Sequence, residues 1–185
     1  MNSREQVIRA FLQGCGWQQA RRQAMTADAS FRSYERLRGP DGDTAILMNA
    51  PPETNESVGI FADIANILLG YGYSAPQILV ADPGNGLLLL EDLGDDLFAQ
   101  LCLRQPELQG PLYAAAVDLL IDLSRQSPPA GLPPYSDAFY RSEAALLPQW
   151  YLQALPDRPD QAQTARFTDL VSQACAAAAP FTGPK

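Results

Sequence analysis

Four consecutive leucines, Leu87-Leu88-Leu89-Leu90, run from Gly86 into the acids Glu91 and Asp92, and Gly94 closes the stretch. A short, unbroken apolar run is a strand buried on both faces or part of a buried helix. The flanks arbitrate. Pro83-Gly84-Asn85-Gly86 is a turn, and Gly94 is a second breaker. A run of this length between breakers is too short for an average helix. The stretch predicts a central strand that leaves its sheet at Glu91 and becomes a connector. Asp95 and Asp96 then start a helix as first-turn acids.

A buried strand running into an extended acidic connector is also what a two-lobed nucleotide-binding protein uses as its hinge. Backbone C=O and N–H groups can there meet an adenine edge. On this stretch alone, a core strand followed by an ordinary turn is the simpler reading.

The elements before it complete a sheet. Ser3 and Gln6 fit a capping box, and Val7, Ile8, Phe11 and Leu12 share one helical face that Gly14 and Gly16 end. Met25-Thr26-Ala27 reads as a first strand. Residues 28–33 form a small-residue turn, Tyr34–Arg38 a second strand, residues 39–43 a strong turn and Thr44–Met48 a third strand. Ser57 caps a helix whose stripe is Phe61, Ile64, Ile67 and Leu68. Gln77–Ala81 and Gly86–Leu90 are strands four and five. Beyond Asp95 the pattern is helical. Leu97, Phe98 and Leu101 mark a short helix, and Leu108, Leu112, Ala115, Leu119 and Leu123 a long one. Ala144, Leu147, Trp150 and Tyr151 mark a third. Asp160 caps the last, with Ala165, Thr168, Leu170, Val171 and Ala174 inside.

Composition excludes several chemistries. With no histidine among the 185 residues, His-dependent triads, His-based metal sites and His general bases are absent from this chain. The formal net charge of −8, with Lys185 the only lysine, argues against nucleic acid as a partner. Cys15, Cys102 and Cys175 fit no zinc or disulfide spacing and read as reduced thiols of a cytoplasmic protein. The N-terminus lacks the apolar core of a signal peptide. No apolar run approaches the roughly 18 residues of a membrane span, so no membrane association is expected.

Four strings, taken in order, resemble the aminoglycoside-phosphotransferase family of small-molecule kinases. Within it they are similar to bacterial anomeric kinases of N-acetylmuramate and N-acetylglucosamine. The strings are residues 28–34, residues 46–53, residues 88–95, and Leu132-Pro133-Pro134-Tyr135 followed by Glu143 and Trp150-Tyr151. The resemblance implies an α+β fold: a protein-kinase-like N-lobe, five antiparallel strands plus a helix, over residues 1–92. Part of a helical C-lobe, the start of the acceptor-binding lobe, would follow over 93–185. It implies ATP and Mg²⁺ as cofactors and a small sugar as substrate. Ser30, Phe31 and Arg32 would sit in the loop over the phosphates, where Arg suits a planar, two-pronged contact. Glu91, Asp92 and Leu93 would be the hinge. Asp137, Tyr135, Glu143 and Trp150 lie where the family begins its sugar pocket. Arg32 reads equally as a solvated turn residue, and Trp150 and Tyr151 at helical spacing read as core.

Two departures stand out. Kinases of this fold carry a third-strand lysine for the α- and β-phosphates. Here the strand reads Thr44-Ala45-Ile46-Leu47-Met48-Asn49, and Arg32 and Arg36 are the candidate substitutes, with Asp63 a conceivable acidic partner. The family's H-x-D-x-x-x-x-N loop, which supplies the catalytic Asp and a Mg²⁺ ligand, needs a histidine that this chain lacks. The expectation is a kinase cut short of its catalytic loop and inactive alone, with a missing C-lobe that promotes self-association. The alternatives are a non-catalytic nucleotide- or protein-binding module of pseudokinase type, or an interaction protein using the helices after Asp95.

Overall fold

The computed structural model describes residues 3–26, 30–54, 57–132 and 136–178. By internal contacts the chain divides into two compact units, Met1–Gln126 and Ser127–Lys185.

The first unit holds a five-stranded antiparallel sheet. The strands are β1 (Arg21–Ala24), β2 (Ser33–Arg38), β3 (Thr44–Asn49), β4 (Ile78–Asp82) and β5 (Leu87–Glu91), in the order β1-β2-β3-β5-β4. This is the five-stranded antiparallel sheet that the resemblance implies, with the leucine run at an inner position between β3 and β4. All four leucines are buried, and alternation sends them to opposite faces. Leu87 and Leu89 join Leu37, Ala45 and Leu47 beneath α1 (Ser3–Gly14), whose Ile8, Phe11 and Leu12 close that face. Leu88 and Leu90 join Ile46 and Met48 beneath α2 (Val58–Gly70), which contributes Val58 and the half-buried Phe61. Burying each leucine is worth about 2 kcal/mol, so the run anchors both layers.

Gly86 fixes where β5 begins. Its φ of +64° is left-handed, and a Cβ there would lie 1.9 Å from the carbonyl oxygen of Ala50. The Ala50 N–H donates to the Gly86 carbonyl at 2.9 Å, tying the ends of β3 and β5 together.

The first strand departs from expectation. It spans Arg21–Ala24 rather than Met25–Ala27, of which Ala27 lies outside the described residues. Charge pairing overrides strand propensity: Arg22 donates from Nε to Glu35 on β2 at 2.6 Å and from Nη1 to Glu5 on α1 at 2.7 Å. The bridge holds α1, β1 and β2 together. Hydrogen bonds from Arg22 keep Glu5 below the usual carboxylate range.

Helix caps follow the sequence in part. Ser57 Oγ accepts from the Ile60 N–H at 3.3 Å. Ser3 is already helical, so it does not take the capping position expected of it. The α2 stripe is shallower than its periodicity implies: Val58 and Ala65 are buried, and Ile64 is exposed. After β5 come α3 (Phe98–Arg104) and α4 (Gln109–Arg125), with Leu112, Ala116 and Leu123 of α4 half-buried.

The second unit contains α5 (Asp137–Leu146), continued as a wider π turn over Leu147–Tyr151, and α6 (Gln161–Ala178) packed against α5. Pro148 brings no N–H to the ladder, which accounts for the widening. Trp150 is 74% exposed and Tyr151 is also exposed, so neither is core. The half-buried side chains on α6 are Thr164, Phe167, Val171, Ser172 and Cys175; of the expected stripe Val171 is among them, while Ala165, Thr168, Leu170 and Ala174 are exposed. Asp160 does cap α6: its Oδ1 accepts from the Gln163 N–H at 2.7 Å, and Gln163 Oε1 accepts in return from the Asp160 N–H at 2.9 Å.

Candidate functional site

Antiparallel pairing sets which side chains share a face. Arg36 pairs with Ile46, and Ile46 with Leu90, so all three belong to the row facing α2. A guanidinium there must find anions, because a buried charge without partners is costly. Arg36, 8% exposed, finds them in the connector after β5. Its Nη2 donates to Asp92 Oδ1 at 3.0 Å, and its Nε lies 2.8 Å from Asp92 Oδ2, off the N–H direction. Nη1 donates to Asp95 Oδ2 at 2.5 Å. Asp92 Oδ1 also accepts from the Gly94 N–H at 3.0 Å, which closes the turn. Asp92 is 7% exposed at its side chain, while Asp95 is largely in solvent. Burial opposes the charged form of Asp92 most strongly. The Gly94 N–H, Arg36 and Thr44 together outweigh it and hold the carboxyl below its ordinary range. Hydrogen bonding to Asp95 and Asp92 in turn holds Arg36 charged.

The connector's backbone is unequal. The Glu91 N–H donates to the Gln77 carbonyl at 2.9 Å, and Glu91 Oε2 accepts from the Gln77 N–H at 3.1 Å, so Glu91 is committed to sheet pairing. Among the described residues, no backbone hydrogen bond occupies the N–H or C=O of Asp92 or Leu93. Leu93 is exposed. Asp95 and Asp96 do not begin the next helix. It starts at Phe98, and their carboxylates go to Arg36 and, at 2.8 Å, to Arg104.

Ser30, Phe31 and Arg32 lie in the loop between β1 and β2, whose residues 27–29 fall outside the described residues. Ser30 Oγ accepts from the Arg32 N–H at 3.2 Å, and the Arg32 guanidinium sits 6.0 Å from the centroid of the Phe61 ring on α2. Phe31 is 75% exposed. Ile46 and Met48, the β3 side chains facing α2, are apolar and buried, and Asp63 is exposed with no ion pair among the described residues. Of the two arginines offered in place of a β3 lysine, Arg36 is taken by the connector. Asp137 and Glu143 are exposed on α5 of the second unit, six positions apart and so on different sides of that helix.

A family model for phosphotransferase enzymes (APH) matches residues 22–185. The chain belongs to this phosphotransferase family. It is similar to N-acetylmuramate/N-acetylglucosamine kinases of Pseudomonas aeruginosa and Caulobacter vibrioides. Identity to the first is 39% over 127 residues, covering 69% of this chain and 36% of the relative. Identity to the second is 35% over 146 residues, covering 65% and 40%. The Pseudomonas putida kinase of the same name is 36% identical over 129 residues, covering 70% and 37%. The chain thus spans well under half the length of these curated relatives.

The open backbone groups at Asp92 and Leu93 could exchange hydrogen bonds with a ligand. Among the described residues, no group of three or more His, Cys, Asp and Glu is arranged to hold a metal ion. No helix of the described residues is long and apolar enough to cross a membrane. The Arg36 link to Asp92 and Asp95 escaped the sequence reading. Cross-strand parity with Ile46 was its one available signal.

Proposed function

We propose that this chain is the nucleotide-binding part of an ATP-dependent sugar kinase, with a cell-wall amino sugar as acceptor and its anomeric hydroxyl as the phosphorylated group. One observation carries the reading: in a chain matched to the phosphotransferase family over residues 22–185, the connector after β5 leaves the Asp92 and Leu93 backbone open beside a buried strand. Residues 1–92 would form the nucleotide lobe and 93–185 the start of the acceptor lobe. Bound ATP would supply the γ-phosphoryl group. Ser30, Phe31 and Arg32 would contact its phosphates and Asp92 and Leu93 its base, Glu91 would anchor that hinge to the sheet, and Asp137 and Glu143 would contact the sugar. The half-buried free thiols suit a cytoplasmic setting.

The same reading holds that these 185 residues alone turn nothing over. They contain no histidine, hence no H-x-D-x-x-x-x-N loop, and β3 has no lysine. The missing lysine also favours a second reading, a nucleotide-binding module without catalysis. Exposed Tyr113, Val117 and Leu120 on one stripe of α4 support self-association at high concentration.

Two measurements on the purified chain test this. ATP at about 100 times its Kd should raise stability by about 2.7 kcal/mol, a Tm rise of about 5–10 °C for a chain of this size. A coupled assay should show no sugar-dependent release of ADP. No thermal shift at any ATP concentration would remove the nucleotide reading, and sugar-dependent turnover would overturn the claim of inactivity.

A further inference from the structure

Arg36 stands on β2, yet two arms of its guanidinium run to a connector 56 and 59 positions later in the chain. Asp92 holds Arg36 with one carboxylate and the Gly94 N–H with the same group. A single buried ion pair therefore welds the sheet to the turn. A guanidinium spent this way is poorly placed to meet phosphates. The open N–H and C=O groups lie at Asp92 and Leu93, within the welded segment.

We propose that Arg36 is the positioning residue of this hinge: by holding Asp92 and Asp95 it fixes the turn that presents the Asp92 and Leu93 backbone to a purine edge, and so sets affinity for the base and not for the phosphates. The proposal rests on the nucleotide-binding reading above. A backbone hinge reads its ligand through two or so directional hydrogen bonds, and these weaken steeply when misaligned. A turn freed by a few tenths of an ångström should therefore lose base affinity while a phosphate contact elsewhere is untouched.

Removing Arg36 alone would strand a buried Asp92 carboxylate and risk the fold. The neutral pair Arg36→Met with Asp92→Asn removes both charges, and Arg36→Lys keeps charge without the fork. Isothermal titration of the 185-residue chain with ATP and with inorganic tripolyphosphate separates base from phosphate. The double variant should bind ATP about tenfold more weakly, a change of about 1.4 kcal/mol, with tripolyphosphate affinity within about twofold of the unaltered chain. Arg36→Lys should fall between. Equal loss for both ligands, or ATP affinity unchanged in the double variant, overturns the proposal.

Hydrogen exchange at the Gly94 amide gives a readout without nucleotide. Arg36→Lys should speed it about tenfold while β5 amides keep their rates, and an unchanged Gly94 rate also overturns the proposal. If the unaltered chain binds neither ligand, the nucleotide reading fails and the base-affinity claim with it. The Gly94 rate then still tells whether Arg36 orders the turn.

Discussion

Replacing Gly86 by alanine tests the junction on which the central strand depends. Two costs apply. At φ +64° an L-residue is disfavoured, by about 1–2 kcal/mol. The new Cβ also lies 1.9 Å from a backbone atom, the Ala50 oxygen, which no side-chain rotation can relieve. Either the end of β3 shifts or the Ala50 N–H loses its bond to the Gly86 carbonyl, and leaving such a group unpaired costs about 1–3 kcal/mol. The sum is about 3 kcal/mol. Gly42→Ala is the control, because Gly42 has φ +89° and nothing within 4 Å of its Cβ position. It carries the left-handed conformational cost alone, about 1 kcal/mol at the low end of that range. Both substitutions restrict the unfolded chain alike, so their difference isolates the collision. At about 2–4 °C per kcal/mol, thermal unfolding followed by circular dichroism should show a fall of about 6–12 °C for Gly86→Ala. Gly42→Ala should fall about 2–4 °C. Equal falls would refute the close approach of β5 to Ala50.

Three further outcomes follow from the packing and charges. Leu88→Ala empties a fully buried site on the α2 face and should lower urea-unfolding stability by about 2–5 kcal/mol, whereas Leu97→Ala, exposed ahead of α3, should change it by less than about 0.5 kcal/mol. Arg22→Met severs the bridge to Glu5 and Glu35. Because all three side chains are partly exposed, the loss should be about 1 kcal/mol, and it should shrink in 1 M salt. Glu5 and Asp92 have folded-state pKa values below their ordinary ones. Their contribution is present above the unfolded values near 4 and is lost as pH falls through the folded values. Urea unfolding at pH 7, 5 and 3 should therefore lose stability mainly between the last two, and Glu5→Gln should shallow that fall.

Legibility followed the physics of each element. The run Leu87–Leu90 was readable because an apolar stretch between breakers has few places to go, and the β2–β3 turn because Gly39-Pro40-Asp41-Gly42 admits little else. The first strand was misread because Arg21–Ala24 looks polar. It pairs through Arg22, whose partners Glu5 and Glu35 are near only in the fold. Burial habit favours core for Trp150 and Tyr151, which the structure exposes, and on α6 an alanine-rich pattern signals the face weakly, so of the expected stripe Val171 alone is half-buried. Asp92 was placed in the connector from sequence. That its carboxylate belongs to Arg36 depends on strand parity and register, which propensity does not encode. Asp95 and Asp96 looked like helix-opening acids, and arginines three dimensions away claimed them instead.

The central claim is that a nucleotide base meets the connector leaving β5. Titrating ATP into isotopically labelled chain while recording backbone amide NMR signals tests it most directly. The amides of Asp92 and Leu93 should shift with the largest amplitude, joined by those of Ser30–Arg32, while tripolyphosphate should move the second group only. Shifts confined to residues outside both segments, or saturable binding that leaves Asp92 and Leu93 unmoved, would contradict the account.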